Sequence, residues 1–297
     1  MKKDSKKKQI EWSRGPTKWI ENQILHISIP FTWNLPEVRA EVQQKSFLWK
    51  QVKVGGPAVS LLPDFFADLS WVKAGGNYPG ALQKINPLAT NTTVGCIRKC
   101  RFCAVQKIEP KFYELQNWPD LPIICDNNLL AASMSHFHKV IDRLARHGWA
   151  DFNQGLDSRL LTKEHAKKLA QIKKPKIRLA LDNQAYKDEW LRAYEKLIEA
   201  GIKKTSINSY ALIGFTTGVE EAWARCEFIA KHCYPLPMWF HRLDQLQKNI
   251  VTKRQRELGW TDYERKKIMG FFYKRGRTGY EKYFSERVLD PKKDLFW

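Results

Sequence analysis

Cysteine is scarce in this sequence: six occur in 297 residues, and three of them, Cys96, Cys100 and Cys103, fall within eight positions. That distribution excludes a secreted disulfide framework, whose cysteines are dense and spread out, and fits reduced thiols. Long apolar runs are missing, so no stretch has the length a bilayer-crossing helix needs. The first ten residues lack the apolar core of a secretion signal, and a cytoplasmic protein without a membrane partner is expected. Acidic side chains are also short, 31 Asp and Glu against 51 Lys and Arg, for a formal charge of +20. Such a surplus attracts polyanions at low and moderate salt, nucleic acid first among them. It serves solubility equally well, because charge bears on partners and not on fold.

What the chain does have is core material. It is 43% hydrophobic and 12% aromatic, with twelve Trp along its length, which is the composition of a folded protein. The length suits one large domain, or one with a smaller partner. Four segments are expected: a basic tail at 1–10, carrying Lys2, Lys3, Lys6, Lys7 and Lys8; a small α/β segment at 11–89; a core at 90–245; and a basic, aromatic extension at 246–297. In the second segment, 24–31 reads as a strand, 36–49 as a helix and 51–54 as a strand running into Gly55-Gly56-Pro57, which is read as an ordinary turn.

Within the core, 90–94, 121–125, 150–153, 177–181, 209–213 and 238–240 read as strands, with helical patterns between them. Met134, Phe137, Val140, Ile141 and Leu144 share one helical face, and Trp190, Tyr194, Leu197 and Ile198 another. Thr217-Gly218-Val219-Glu220 has capping-box spacing for the helix after Gly214. The alternation implies a parallel sheet of about six βα units, and the expected fold class is α/β: a partial (β/α)6 TIM-like barrel with a small N-terminal βαβ-like segment and a helical, basic C-terminal extension. Each strand is followed at once by residues able to hold a polar ligand. These are the cysteine loop, Asp126-Asn127-Asn128, Gln154 to Arg159, Asp182-Asn183 and Gly214-Phe215-Thr216. Carboxyl ends of parallel strands share one face, so these loops should converge there, while some of the Asp, Asn, Ser and Thr residues serve only as helix caps.

The cysteines are spaced C-x3-C-x2-C, with Phe102 before the last. Three thiolates on one tight loop can hold three corners of a cubane cluster and leave the fourth iron open to an exogenous ligand. Arg98, Lys99 and Arg101 favour thiolate over thiol. Zinc is the competing occupant. Structural zinc fills all four positions from the protein, and no second Cys-x2-Cys pair follows here, nor is there an H-x-E with P-C-x-x-C deaminase signature.

With this spacing and Phe102, the stretch 90–243 resembles the radical S-adenosylmethionine superfamily. The resemblance implies a partial (β/α)6 barrel and a [4Fe-4S] cluster on Cys96, Cys100 and Cys103. It also implies reductive cleavage of S-adenosylmethionine to methionine and a 5'-deoxyadenosyl radical that abstracts hydrogen from a substrate. By the same resemblance an external one-electron reductant, flavodoxin- or ferredoxin-like, is a partner. S-adenosylmethionine is bound around Asp126, Asn127 and Asn128 for the methionine end, Gln154, Asp157, Ser158 and Arg159 for ribose and carboxylate, and Ile213, Gly214 and Phe215 on the adenine side. Asp126-Asn127-Asn128 replaces the usual Gly-Gly-Glu-like motif. Phe31-Thr32-Trp33 and Gly55-Gly56-Pro57-Ala58 ahead of the barrel resemble compact phage and microbial members with a shortened cobalamin-binding-like front segment. The D-x-H-x-x-G element for a lower cobalamin ligand is absent, so cobalamin is not expected.

Arg275 and Arg277 lie between Phe271-Phe272-Tyr273 and Tyr280. That mixture suits phosphate contacts with base stacking and makes nucleic acid one candidate substrate, although a helix covering the open side of the barrel reads the same way. Cys125, Cys226 and Cys233 read as packed apolar thiols, and His136 and His138 as partly exposed helical residues. The competing function is a non-catalytic nucleic-acid-binding protein that holds zinc or a cluster.

Overall fold

The computed structural model describes residues 12–13, 15–45, 48–76 and 78–274. The basic tail at 1–10, and Arg275, Arg277 and Tyr280 of the extension, lie outside them. The chain divides into two compact units, Met1–Thr90 with Arg242–Lys248, and Asn91–His241 with Asn249–Trp297.

The first unit contains β1 (Thr17–Glu21), β2 (Ile24–Ser28), α1 (Leu35–Gln44), β3 (Gln51–Gly55), α2 (Pro57–Leu61), β4 (Val72–Ala74), α3 (Ala81–Ile85) and β5 (Ala89–Thr90). Four strands lie in the order β1-β2-β3-β4, with β1 antiparallel to β2 and the other neighbours parallel. The expected strand, helix and strand are present, but β2 stops at Ser28, just ahead of the donor-less Pro30, and α1 ends at Gln44. β1 and β4 extend the motif beyond the two strands expected. The β1 to β2 turn is a two-residue one, with Asn22 and Gln23 both at positive φ, the twist that suits a tight hairpin. Gly55-Gly56-Pro57 is more than a turn. At Gly56, φ is +91°, and a Cβ there would come within 2.8 Å of the Ile29 carbonyl oxygen, so only glycine lets the two chains cross. Pro57 then opens α2 at a position where its missing N–H costs nothing. Leu25, Ile27, Val38, Val42, Val52, Val54, Val59 and Phe66 form the core of this unit.

The second unit runs β6 (Thr93–Val94), α4 (Val105–Ile108), β7 (Tyr113–Glu114), β8 (Ile123–Ile124), α5 (Met134–His147), β9 (Trp149–Phe152), α6 (Lys163–Leu169), β10 (Lys174–Ala180), α7 (Lys187–Glu199), β11 (Ile207–Ile213), α8 (Val219–His232), β12 (Tyr234–Trp239), α9 (Lys253–Glu257) and α10 (Asp262–Lys274). The strand expected at 90–94 is two short pieces, β5 and β6, and β6 pairs antiparallel with β7. β8, β9, β10, β11 and β12 lie side by side in sequence order, all parallel. The chain is therefore mixed α/β with parallel sheets. Along the strands alternate residues go to the core, where Phe152, Ile177, Leu179, Ile207, Ala211, Ile213 and Trp239 join Phe137, Ile141, Trp190, Leu197 and Ile229 from the helices. Ser133 caps α5 by accepting from the His136 N–H, and Thr162 and Thr252 make capping boxes with His165 and Gln255. Thr217 does not cap α8. Gly218 holds the N-cap with no side-chain bond, and the Thr217 hydroxyl accepts instead from the buried Arg225 at 3.4 Å. α10 packs against β12, burying Ile268 and Phe272, and the Tyr273 hydroxyl donates to the Pro237 carbonyl at 3.0 Å.

Candidate functional site

The cysteine loop leaves β6 through Gly95, at φ +75°, where a Cβ would run into the backbone of Lys111 and Glu109. The Gly95 N–H donates to the Glu109 carboxylate at 3.0 Å. Behind the loop, the Gln106 amide at the start of α4 donates to the carbonyls of Cys96 (3.0 Å) and Arg98 (2.6 Å), and the Cys103 N–H donates to the Cys100 carbonyl at 3.0 Å. Backbone geometry is thus held before any thiol takes part. All three loop thiols are partly exposed, whereas Cys125, Cys226 and Cys233 are buried. Burial pushes Cys125 and Cys226 up to about 12, which leaves them inert.

Donors and charges surround the loop sulfurs. Cys96 Sγ accepts from the Arg98 N–H at 3.3 Å and from Asn128 Nδ2 at 3.4 Å. Burial pushes the Cys100 thiol up, and Cys96 and Asp182 add to this, while the Arg159 guanidinium pulls it down. Cys103 is raised mainly by burial and also by Cys100, Cys96 and Asp182, so the three sulfurs and Asp182 feel one another's charge.

Loops from successive strand ends meet here. Asp157, after β9, accepts from Arg98 Nε at 2.8 Å, from Arg159 Nε at 2.7 Å and Nη2 at 3.1 Å, and from Asn128 Nδ2 at 3.3 Å. Burial alone would raise the Asp157 carboxyl, but the two arginines outweigh it and hold it below the usual range. Arg159 also lies 4.9 Å over the Tyr186 ring. Asn127 donates to Glu109 at 2.7 Å, tying the β8 end to the anchor of Gly95. After β11, Phe215 packs edge-on against Phe102 at 5.5 Å and Phe240 at 4.8 Å. Gly214, at φ +77°, sits where a side chain would overlap the Trp239 ring, and its carbonyl accepts from Gln255 at 2.9 Å.

Of the residues expected from sequence, Asn128, Asp157 and Arg159 thus come together with Cys96 and Cys100, Asn127 supports the loop, and Phe215 reaches it through Phe102. Ile213 is buried in the core and Ser158 is buried as well. Gln154 is exposed and takes no part in these hydrogen bonds among the described residues. Asp126 turns inward. His136 is buried rather than partly exposed, with its Nε2 3.3 Å from Thr92 Oγ1 and its ring 5.0 Å from that of Trp118. The sequence reading missed Glu109 and Gln106, and it named Asp182 only as a strand-end residue. Glu109 lies six residues past the last cysteine, a spacing with no motif to mark it.

Asp126 carries a pH dependence. Its carboxylate accepts from the Thr92 N–H (2.5 Å), the Thr92 hydroxyl (2.5 Å) and the Thr93 N–H (2.9 Å), and burial nevertheless pushes it up to about 6. An unfolded aspartate titrates near about 3.9. The folded state therefore takes the proton first, and the stability Asp126 contributes is full below about pH 4 and lost as pH rises through about 6. Asp126→Asn keeps the hydrogen-bonding shape and removes the titration. Melting both proteins between about pH 7 and about pH 4 should show the wild type gaining on the variant as pH falls. Neighbouring His136, which burial holds below its ordinary value, contributes to both curves. A constant difference across that range would refute the assignment.

Three partly exposed thiols, N–H donors on one sulfur and two guanidinium groups at the rim suit an anionic group such as an iron–sulfur cluster. Among the described residues, no three Cys, His, Asp or Glu side chains are already drawn together as a metal-binding group. No protein-family model matches the chain, and no curated protein matches it.

Proposed function

We propose that the chain is a radical S-adenosylmethionine enzyme with a partial (β/α)6 barrel, in which Cys96, Cys100 and Cys103 hold a [4Fe-4S] cluster. One observation carries this reading: Asn128, Asp157 and Phe215, from the ends of β8, β9 and β11, all meet the loop that bears the three cysteines, and the charge of Asp182 at the end of β10 is felt by two of them. Strands in sequence order, without a reversal, suit a singly wound barrel rather than a doubly wound sheet.

When bound, the cluster supplies the electron that splits S-adenosylmethionine into methionine and a 5'-deoxyadenosyl radical. The chain's own residues position and shield. The Arg98 N–H and Asn128 donate to the Cys96 sulfur, and the Arg159 guanidinium offsets part of the burial that raises Cys100. Arg98 and Arg159 both donate to the carboxylate of Asp157. Guanidinium groups held this way suit the carboxylate of a methionine moiety. Phe102, Phe215 and Phe240 form an aromatic wall that keeps water from one side and offers an adenine ring a face. An external reductant delivers the electron.

Anaerobic reconstitution with iron and sulfide should give a brown protein with about four iron per chain. Adding dithionite and S-adenosylmethionine should then yield 5'-deoxyadenosine. A colourless zinc protein, or an intact cluster that releases no 5'-deoxyadenosine under reducing conditions, would overturn the proposal.

A further inference from the structure

We propose that the amino-terminal ends of β9, β10 and β11 form a docking surface for single-stranded nucleic acid. This surface is at the opposite end of the parallel strands from the cysteine loop, and the inference does not rest on the reaction proposed above. Trp149 opens β9 and is 37% exposed, unusual for the largest side chain at a strand start. It pairs in register with Lys174, the first residue of β10, and register partners in a parallel sheet project from the same face. An exposed indole and an exposed ammonium are therefore neighbours by backbone geometry.

Further cations gather around that pair. Lys173 precedes β10 and is exposed. The single 3-10 turn Lys204–Ser206 packs against β10 and brings exposed Lys203 and partly exposed Lys204 to the same rim, with Lys204 Nζ fixed on the Lys231 carbonyl at 3.0 Å. Three carboxylates on the flanking elements are already engaged. Asp120 takes His147 at 3.0 Å and Arg146 at 3.5 Å, Asp142 takes Lys168 at 2.6 Å, and Asp151 takes Arg178 and Lys176. Among the described residues, Lys173, Lys174 and Lys203 join none of the ion pairs, so their charge is free for a partner.

A flat aromatic among uncompensated lysines matches a chain that offers both base faces and phosphates. In a duplex the base faces are stacked inside, so the indole would find no partner there. Lysine ammonium groups serve as point charges along a backbone and do not select bases, so the binding should tolerate sequence.

The test uses the full chain and fluorescence anisotropy with labelled oligothymidylate of about twelve nucleotides, oligouridylate of the same length and a matching duplex. Single strands should bind more tightly than the duplex. Trp149→Ala should weaken single-strand binding about tenfold, the size of one base stack, and Trp149→Phe should restore most of it. The triple charge reversal K173E/K174E/K203E should weaken binding further and lower the log–log salt slope by about two, at roughly 0.7 per lost phosphate contact. Circular dichroism and melting of each variant exclude misfolding as the cause. Unchanged affinity and slope in the triple variant would assign any binding to other basic segments and overturn the proposal, as would equal or tighter binding of the duplex.

Discussion

Asp151→Ala is expected to destabilise the protein by about 3–5 kcal/mol, the cost of stranding a buried charge. Asp151 on β9 and Arg178 on β10 are both buried and form a two-pronged ion pair, and Arg178 Nη1 also donates to the Phe152 carbonyl at 3.1 Å. With the carboxylate gone, one hydrogen bond to a carbonyl remains for a guanidinium that is only 9% exposed. Burial by itself lowers the tendency of Arg178 to stay charged, and the Asp151 contact reverses that. The double variant D151A/R178M removes both charges and should recover more than half of the loss, because what is expensive is the unpaired partner and not the absence of the pair. Urea unfolding followed by far-UV circular dichroism checks this. A loss below about 1 kcal/mol in the single variant would place the pair among the exposed, weak ones.

The second large effect should come from Gly95→Ala. An alanine there must hold φ near +75° and place its methyl group within 2.8 Å of the Lys111 carbonyl carbon and 2.9 Å of the Glu109 carbonyl oxygen. Left-handed backbone costs about 1–2 kcal/mol and overpacking about 1–3 kcal/mol, so a loss of about 3 kcal/mol is expected. Relief of the clash must move the loop, which breaks the Gly95 to Glu109 bond and displaces Cys96. Iron retained after reconstitution should fall with it. Gly148→Ala is the matched comparison. Gly148 also has a positive φ, +71°, but a Cβ there meets no atom within 4 Å. It should cost about 1–2 kcal/mol and leave iron loading unchanged. Equal effects of the two substitutions would mean that the close approach at Gly95 does not matter.

The apolar stretches announced β8 to β11 because burial on a parallel sheet needs an apolar run, but of β12 only its last two residues fell in the expected 238–240, since its first four, Tyr-Pro-Leu-Pro, carry two prolines. Their limits were harder to read. β10 begins at Lys174, three residues before Ile177, since Lys174-Pro175-Lys176 finds its ladder partners in Trp149, Ala150 and Asp151. Nothing local in Lys-Pro-Lys suggests a strand. β1 was invisible for a related reason: Thr-Lys-Trp-Ile-Glu is mostly exposed and is held by its neighbour, with Trp19 stacked 5.2 Å from His26. At the site, the strand-end rule located Asn128, Asp157 and Phe215, but the partner of each is set by tertiary geometry. Arg98 and Asp157 are 59 positions apart, and no periodicity links them. Thr217 shows how a local pattern loses to a buried need. Its hydroxyl, apt for capping, accepts instead from Arg225, which also donates to the Leu212 and Asp182 carbonyls and, at 3.5 Å, to Glu221.

Arg225 itself sits on α8, fully buried, and donates to the Asp182 carbonyl at 3.1 Å and the Leu212 carbonyl at 2.6 Å. Asp182 in turn accepts from the Leu212 N–H at 2.9 Å. A cation in the outer layer therefore acts as a clamp that sets the gap between the tips of β10 and β11, one of which carries the carboxylate felt by Cys100 and Cys103. A change at Arg225 on α8 would therefore be felt at the β10 tip, where the Asp182 carboxylate stands.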